Sequence, residues 1–214
     1  MSDLQAIRGT RDILPGEVEH WQRVEASARR VFGRYGFREI RTPIFEDSAV
    51  FLKGTGETTD IVQKEMYRFV DQGENDLTLR PEGTPPVVRA YLEHNLREGN
   101  SIDRYYYIGP MFRYERPQKG RYRQFHQIGV EVLGSESPRV DAEIMEMALR
   151  WLGELGVAEP RLRLNTVGDE ESRARYREAL VEAQREVLDR LCGDCRRRHE
   201  SNPMRVLDCK VPSC

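Results

Sequence analysis

The stretch that most constrains the fold is Tyr105–Leu133, YYYIGPMFRYERPQKGRYRQFHQIGVEVL. Its first part is aromatic and apolar (Tyr105, Tyr107, Ile108, Met111, Phe112). Its last part alternates, with Phe125, Gln127, Gly129 and Glu131 on one face and His126, Ile128, Val130 and Val132 on the other. Alternation with a period of two marks a strand, so the stretch predicts a pair of strands. Two or three residues would close such a hairpin. Here the connection Glu115–Arg123 is longer and carries Arg116, Lys119, Arg121 and Arg123 around Pro117 and Gly120. Surplus loop length with concentrated positive charge points to contact with an anion.

The rest of the chain has no such concentration. Lys plus Arg number 34 and Asp plus Glu 36, a net charge of −2 over 214 residues. A protein that coats nucleic acid non-specifically is usually more basic. Any such contact is therefore local, and residues 113–123, with five Arg or Lys and one Glu, are the place for it. No apolar run approaches the ~18 residues of a membrane span. MSDLQAIRGTRD has no apolar signal core, so a cytoplasmic protein is expected.

Along the chain, Arg8-Gly9-Thr10 and Pro15-Gly16 are turn chemistry. Glu17–Tyr35 reads as a helix with Val18, Trp21, Val24, Ala28, Val31 or Phe32, and Tyr35 at helical steps, stopped by Gly36. A strand over Phe37–Thr42 follows and Pro43 closes it. A short helix is expected over Asp47–Lys53 and a polar loop over 54–60. Strands are expected over Glu65–Val70 and Asp76–Leu79, split by a turn at 71–75. Leu79-Arg80-Pro81-Glu82-Gly83-Thr84-Pro85 ends a strand and opens a helix over Pro86–Arg97, with proline well placed at its start. Further helices are expected from Ser137-Pro138 to Leu155, and from Gly168-Asp169 to Leu191 with Tyr176, Leu180, Val187 and Leu191 inward. Arg161–Val167 alternates as a strand would. Strands joined by turns and separated by helices give an α+β fold with a mostly antiparallel sheet.

Phe112-Arg113-x-Glu115, the basic loop and Arg123-x-Phe125 resemble motif 2 of the class II aminoacyl-tRNA synthetases, and RYERPQKGRYRQFHQIGVE is closely similar to the histidyl-tRNA synthetases. The long helix, Gly36, the following strand and Pro43 resemble motif 1. The resemblance covers essentially the whole chain and implies a catalytic core over residues 1–167, with the start of a helical insertion over 168–214. It implies ATP-dependent activation of L-histidine and transfer to tRNA-His, with Mg2+ accompanying ATP, no permanent cofactor, and a homodimer formed through motif 1.

The same resemblance gives residue roles. Arg113 would be the catalytic residue, bridging the histidine carboxylate and the ATP α-phosphate as a planar guanidinium can. Glu115 would accept from the adenine amino group, Phe125 would stack on the ring, and Arg121 would hold the distal phosphates. Glu82, Gly83, Thr84 and Gln127 would line the amino-acid pocket, and Glu131 would read the imidazole. Arg116, Gln118, Lys119 and Arg123 would face the tRNA acceptor end. Taken singly, Arg113, Glu115 and Phe125 could equally be a cross-strand ion pair and a core aromatic; in register together they argue for a site. His126, on the opposite face, is expected to be structural.

Family members are about twice this length. Their second histidine-specific segment, motif 3 and anticodon-binding domain have no counterpart in these residues. Weak or absent adenylate formation by the 214-residue chain is therefore expected. The alternatives are a non-catalytic paralogue resembling the regulatory subunit of ATP phosphoribosyltransferase, or a dimerising fragment without activity. All four cysteines, Cys192, Cys195, Cys209 and Cys214, lie near the end of the chain. No disulfide framework holds the main body. The paired spacing allows a structural zinc site. The adopted expectation is free thiols with no metal.

Overall fold

The computed structural model describes residues 4–55, 59, 61–97, 99, 101–166, 168–212 and 214. The chain divides into two compact units, Met1–Pro160 and Arg161–Cys214. The division falls earlier than the expected 167/168. Residues 161–166 form no strand, and Leu162 and Leu164 are exposed. Alternation alone cannot make a strand without a neighbouring ladder to pair with.

In the first unit, helix α1 (Val18–Arg34) is the expected amphipathic helix, burying Ser27, Ala28, Val31 and Phe32. Its end shows why Gly36 is needed. Gly36 adopts φ +76°, which side chains rarely tolerate. The turn lets the Gly36 amide bond Gly33 O (3.1 Å) and the Phe37 amide bond Phe32 O (3.1 Å). These are the paired bonds of a Schellman cap, and the Phe32 and Phe37 rings meet 6.4 Å apart beneath it. Strand β1 is short (Arg38–Glu39) and runs parallel to β5 (Asp103–Phe112); β5 pairs antiparallel with β6 (Gln124–Leu133) over its whole length.

A second small sheet has the order β2-β4-β3, all antiparallel, from Phe45–Asp47, Asp76–Leu79 and Tyr67–Val70. The expectation of a mostly antiparallel sheet flanked by helices holds, but the strands form two three-stranded sheets. Strand β2 is not visible in the sequence: three residues are too few to show a period. Helix α2 (Ser48–Thr55) absorbs Gly54 and Thr55, which were expected in the polar loop; much of the remaining loop (56–58 and 60) lies outside the described residues. A single wide helical turn follows at Ile61–Glu65.

Helix α3 (Thr84–Glu93) starts two residues before the expected Pro86 and ends before His94. Prolines 85 and 86 occupy its first turn, where no amide partner is lost. Helix α4 spans Pro138–Glu154. The β5–β6 pair is therefore a layer with helices on both faces. Tyr106, Ile108, Ile128, Val130 and Val132 pack against α1 and α4, with Val31 and Met147 fully buried. Tyr105, Tyr107, Met111 and Phe125 pack on the other face with Val87 of α3. Each fully buried aliphatic side chain contributes about 1.5–3 kcal/mol relative to exposure.

Arg80 seams the two sheets. Its guanidinium is buried and donates to Pro110 O (2.9 Å) and Thr42 O (2.9 Å), while its backbone joins Ile44 and Phe112. Burial lowers its pKa, with the Glu46 carboxylate partly opposing.

In the second unit, α5 runs Glu170–Arg185, capped by Asp169, whose carboxylate accepts from the Ser172 amide (2.7 Å). It stops short of the expected Leu191, and a 3₁₀ turn occupies Leu188–Arg190. Tyr176 and Val187 are exposed rather than inward. Helix α6 (Gly193–Ser201) and a 3₁₀ segment (Pro203–Asp208) complete it. No helix among the described residues is long and apolar enough to cross a membrane.

Candidate active site

The site is built on the face of β5–β6 that carries odd-numbered residues. Register places Tyr105 opposite Glu131, Tyr107 opposite Gly129, Gly109 opposite Gln127 and Met111 opposite Phe125. Phe125 and Glu131 are six residues apart on one strand, about 20 Å at ~3.4 Å per residue. The groups thus line an elongated track.

At one end, Glu131 is mostly shielded from water. Its carboxylate accepts from the Thr84 hydroxyl at the start of α3 (2.7 Å). Burial raises the Glu131 pKa, and the Thr84 bond only partly offsets this. Four residues back along the same face, between Glu131 and Phe125, the Gln127 Oε1 atom is buried and has no hydrogen-bond partner among the described residues. An unpaired buried amide oxygen costs about 1–3 kcal/mol, so a polar occupant would relieve it. Glu82 accepts from the Thr55 hydroxyl of α2. The face assignment of Gln127 and Glu131 made from alternation is the one seen, and Glu82, Gly83 and Thr84 come to the same end.

Sequence reading missed the residue that ties this end together. Tyr107 looks like one more core aromatic, yet its hydroxyl is pushed up to about 12, chiefly by burial, with Glu131 and Glu82 adding to it and Thr84 opposing. It therefore stays protonated and can donate. A Cβ on Gly83 or on Gly129 would fall 2.2 Å from its ring. Only glycine on both sides leaves room for the ring. Glycine inside a strand was the available signal: Gly129 admits Tyr107, and Gly109 admits the Arg80 guanidinium (2.4 Å to a built Cβ).

At the other end, Arg113 sits just past the end of β5. Its Nε donates to Pro81 O (2.9 Å), and its guanidinium lies 5.2 Å from the Phe125 ring centroid. Glu115 is largely covered, 4.0 Å from Arg113 and 3.1 Å from Arg121. In this state Glu115 is the counter-charge of two guanidinium groups, and Arg113 covers a face of Phe125 that a stacked base would have to share or take. The loop closes through a tight turn, with Arg121 N to Gln118 O at 2.9 Å, leaving Arg116, Gln118, Lys119 and Arg121 exposed.

Arg123 behaves differently from the outward group it was placed with. Its amide donates to Gly9 O (2.6 Å) and its side chain to Arg8 O and Glu115 O (both 3.3 Å). Its guanidinium stacks 4.1 Å over Tyr114. Arg123 thus braces the entry segment against the loop. On the opposite face, His126 packs 4.8 Å from Trp21, and burial lowers its pKa.

Known proteins resemble this arrangement over the whole chain. The pattern of the family described as Histidyl-tRNA synthetase matches residues 9–192. Histidine–tRNA ligases of Geobacter metallireducens and Geobacter sulfurreducens are 59% and 57% identical, each over 99% of this chain and 51% of their own. The apo histidyl-tRNA synthetase structure from S. aureus superposes with a TM-score of 0.75 at 40% identity, over 98% of this chain and 49% of that one. A structure described as an ATP phosphoribosyltransferase regulatory subunit/histidyl-tRNA synthetase from Bacillus halodurans shares the fold (TM-score 0.65, 23% identity, over 97% of this chain and 56% of that one). The chain spans about half the length of the curated relatives it matches. With a family match over most of its residues and alternating site groups gathered on one sheet face, the chain belongs to the histidyl-tRNA synthetase family.

Proposed function

We propose that this chain carries the histidine- and ATP-binding part of a histidine–tRNA ligase. The observation that carries the reading is that the shielded, Thr84-bonded Glu131 and the orphaned Gln127 oxygen lie on one strand face, the face that also carries Phe125 with Arg113 over its ring. Glu131 would accept from the imidazole N–H, while Gln127, Glu82 and Thr84 would take the ammonium end. A pocket of buried polar groups rejects apolar analogues, which leave those groups unpaired. The histidine carboxylate then attacks the α-phosphorus of ATP, brought in as its Mg2+ complex, and pyrophosphate leaves. Arg113 lies between the two anionic reactants and its charge is fixed before they meet, the source of most electrostatic stabilisation in such steps. Phe125 and Glu115 would receive the adenine, and Arg121 the distal phosphates. The acyl group passes to the terminal ribose of tRNA-His, with Arg116, Gln118 and Lys119 placed to meet the acceptor-end phosphates. The expected setting is a cytoplasmic homodimer joined through α1 and β1.

Calorimetry with L-histidine and with ATP tests this. Glu131→Gln keeps the size and the Thr84 contact but removes the charge. It should weaken histidine binding at least tenfold, the effect of a hydrogen bond to a charged group, and leave ATP binding unchanged. Arg113→Ala should weaken ATP binding. Equal histidine affinity in Glu131→Gln and the parent chain would refute the pocket assignment.

A further inference from the structure

The four cysteines all belong to the unit Arg161–Cys214. The fold brings their four sulfurs within 4.8 Å of one another, although Cys192 and Cys214 are 22 residues apart. Cys192 and Cys209 Sγ are 3.9 Å apart. A disulfide would place them at about 2.05 Å. Four sulfurs at the corners of a tetrahedron, each ~2.3 Å from a central zinc, would be separated by about 3.8 Å. The observed spacing is that of ligands around an ion.

The local backbone is arranged for the same purpose. Cys192 is the residue preceding α6 and Cys195 lies in that helix's first turn, so the helix start sets the first pair. Cys209 directly follows the 3₁₀ segment Pro203–Asp208. Two amides point at sulfur: Cys192 N at Cys214 Sγ and Val211 N at Cys209 Sγ, both 3.4 Å. Such N–H···S bonds favour thiolates. His199, between the two pairs, is engaged elsewhere: its Nδ1 meets Gln184 Oε1 at 2.9 Å, and Gln184 in turn donates to Pro203 O at 2.8 Å. It is not a fifth candidate ligand.

The thiols are also part of the unit's packing. Its hydrophobic cluster, among the described residues, is Leu191, Cys195 and Val206, with Leu188, Cys192 and Cys209 packed against it. Three of the six members are the thiols themselves. A metal joining these thiols would therefore also join the cluster they pack in.

We propose that Cys192, Cys195, Cys209 and Cys214 form a tetrathiolate site for one structural Zn2+. Soft thiolates in tetrahedral array select zinc among the available hard and borderline ions. Binding replaces four S–H bonds by four Zn–S bonds and releases the thiol protons, leaving a local charge of −2. Arg196 follows Cys195 and Lys210 follows Cys209 in the chain. Arg196 also ties down the chain entering Cys192, donating to Leu191 O (3.0 Å) and Asp189 O (2.9 Å). The ion would clip the start of α6 to the segment after the 3₁₀ turn, and no reaction step depends on it.

The test is elemental analysis of the untagged 214-residue chain purified under reductant, combined with thiol counting. The expected result is about one zinc per chain, released in step with the capping of four thiols by a mercurial, and four thiols that react with a thiol reagent in a parallel sample stripped by a chelator. Cys195 is fully buried, so its replacement could simply unfold the unit; the exposed Cys214 is the better probe. Cys214→Ser should lose most of the zinc, and Cys214→His, which restores a ligand, should regain it. Cobalt reconstitution should give the intense visible absorption of a tetrahedral thiolate complex. Metal-free chain with four freely reacting thiols that takes up neither zinc nor cobalt would overturn the proposal. So would iron in place of zinc, two disulfides in the reduced preparation, or zinc content unchanged in Cys214→Ser.

Discussion

At the scale of single residues, the site depends on side chains whose neighbours are remote in sequence. Tyr107 fits only because Gly83 and Gly129 leave its ring unobstructed from two sides. Gly129→Ala should therefore destabilise the chain by about 1–3 kcal/mol, the usual cost of overpacking, read as a fall in thermal midpoint. Combining it with Tyr107→Leu, which vacates the space, should cost less than the two single changes added together. Strict additivity would show that ring and methyl do not compete. The same residues mark the limit of what could be read from the chain alone. Phe125, Gln127 and Glu131 were legible because alternation assigns a face without knowledge of the partner strand, and Arg113 because it stands in a string that resembles a known motif. Tyr107 and Arg80 were not, since a tyrosine among aromatics reads as core and a buried arginine is recognisable only once the carbonyls of Thr42 and Pro110 surround it. Arg123 was assigned outward by its place in a basic run, and only the Arg8–Gly9 carbonyls reveal its inward turn.

At the scale of elements, local chemistry decided what was legible. Helix α1 carries its own start, stripe and glycine stop, and its boundaries were read to within a residue. Strand β2 and the non-strand at 161–166 depended on pairing, which no local pattern encodes. The contact between α1 and β6 makes a prediction of its own. His126 is held below its ordinary pKa of 6.5 by burial against Trp21, with Glu25 partly opposing. A depressed pKa means the unfolded chain takes up a proton that the folded chain resists. The stability contributed at this position is complete above the unfolded value and is lost as pH falls through the folded one. Melting between about pH 7 and about pH 5 should therefore show a smaller drop in His126→Gln than in the parent. Parallel pH profiles for the two proteins would remove His126 from the account.

At the scale of the whole molecule, sheet order makes a further demand. In β1-β5-β6, β6 is an outer strand of ten residues, and none of the described strands pairs with its far side. Alternate amides and carbonyls along it are therefore turned away from β5. A long edge of this kind is a template for another chain, and natural sheets usually cover, charge or shorten it. The opposite edge is β1, two residues long, which offers little to pair with. Phe45, Phe69 and Val70 of the second sheet add exposed apolar surface. The 214-residue chain should consequently associate as its concentration rises, beyond any closed dimer formed through α1 and β1. Sedimentation velocity should show a weight-average mass that keeps increasing rather than levelling at the dimer. Hydrogen exchange should locate the cause: alternate β6 amides exchange quickly in dilute solution and slow as association proceeds, while β5 amides stay protected throughout. A mass that levels off, together with slow exchange along all of β6 at low concentration, would mean that this edge is already covered in the isolated chain.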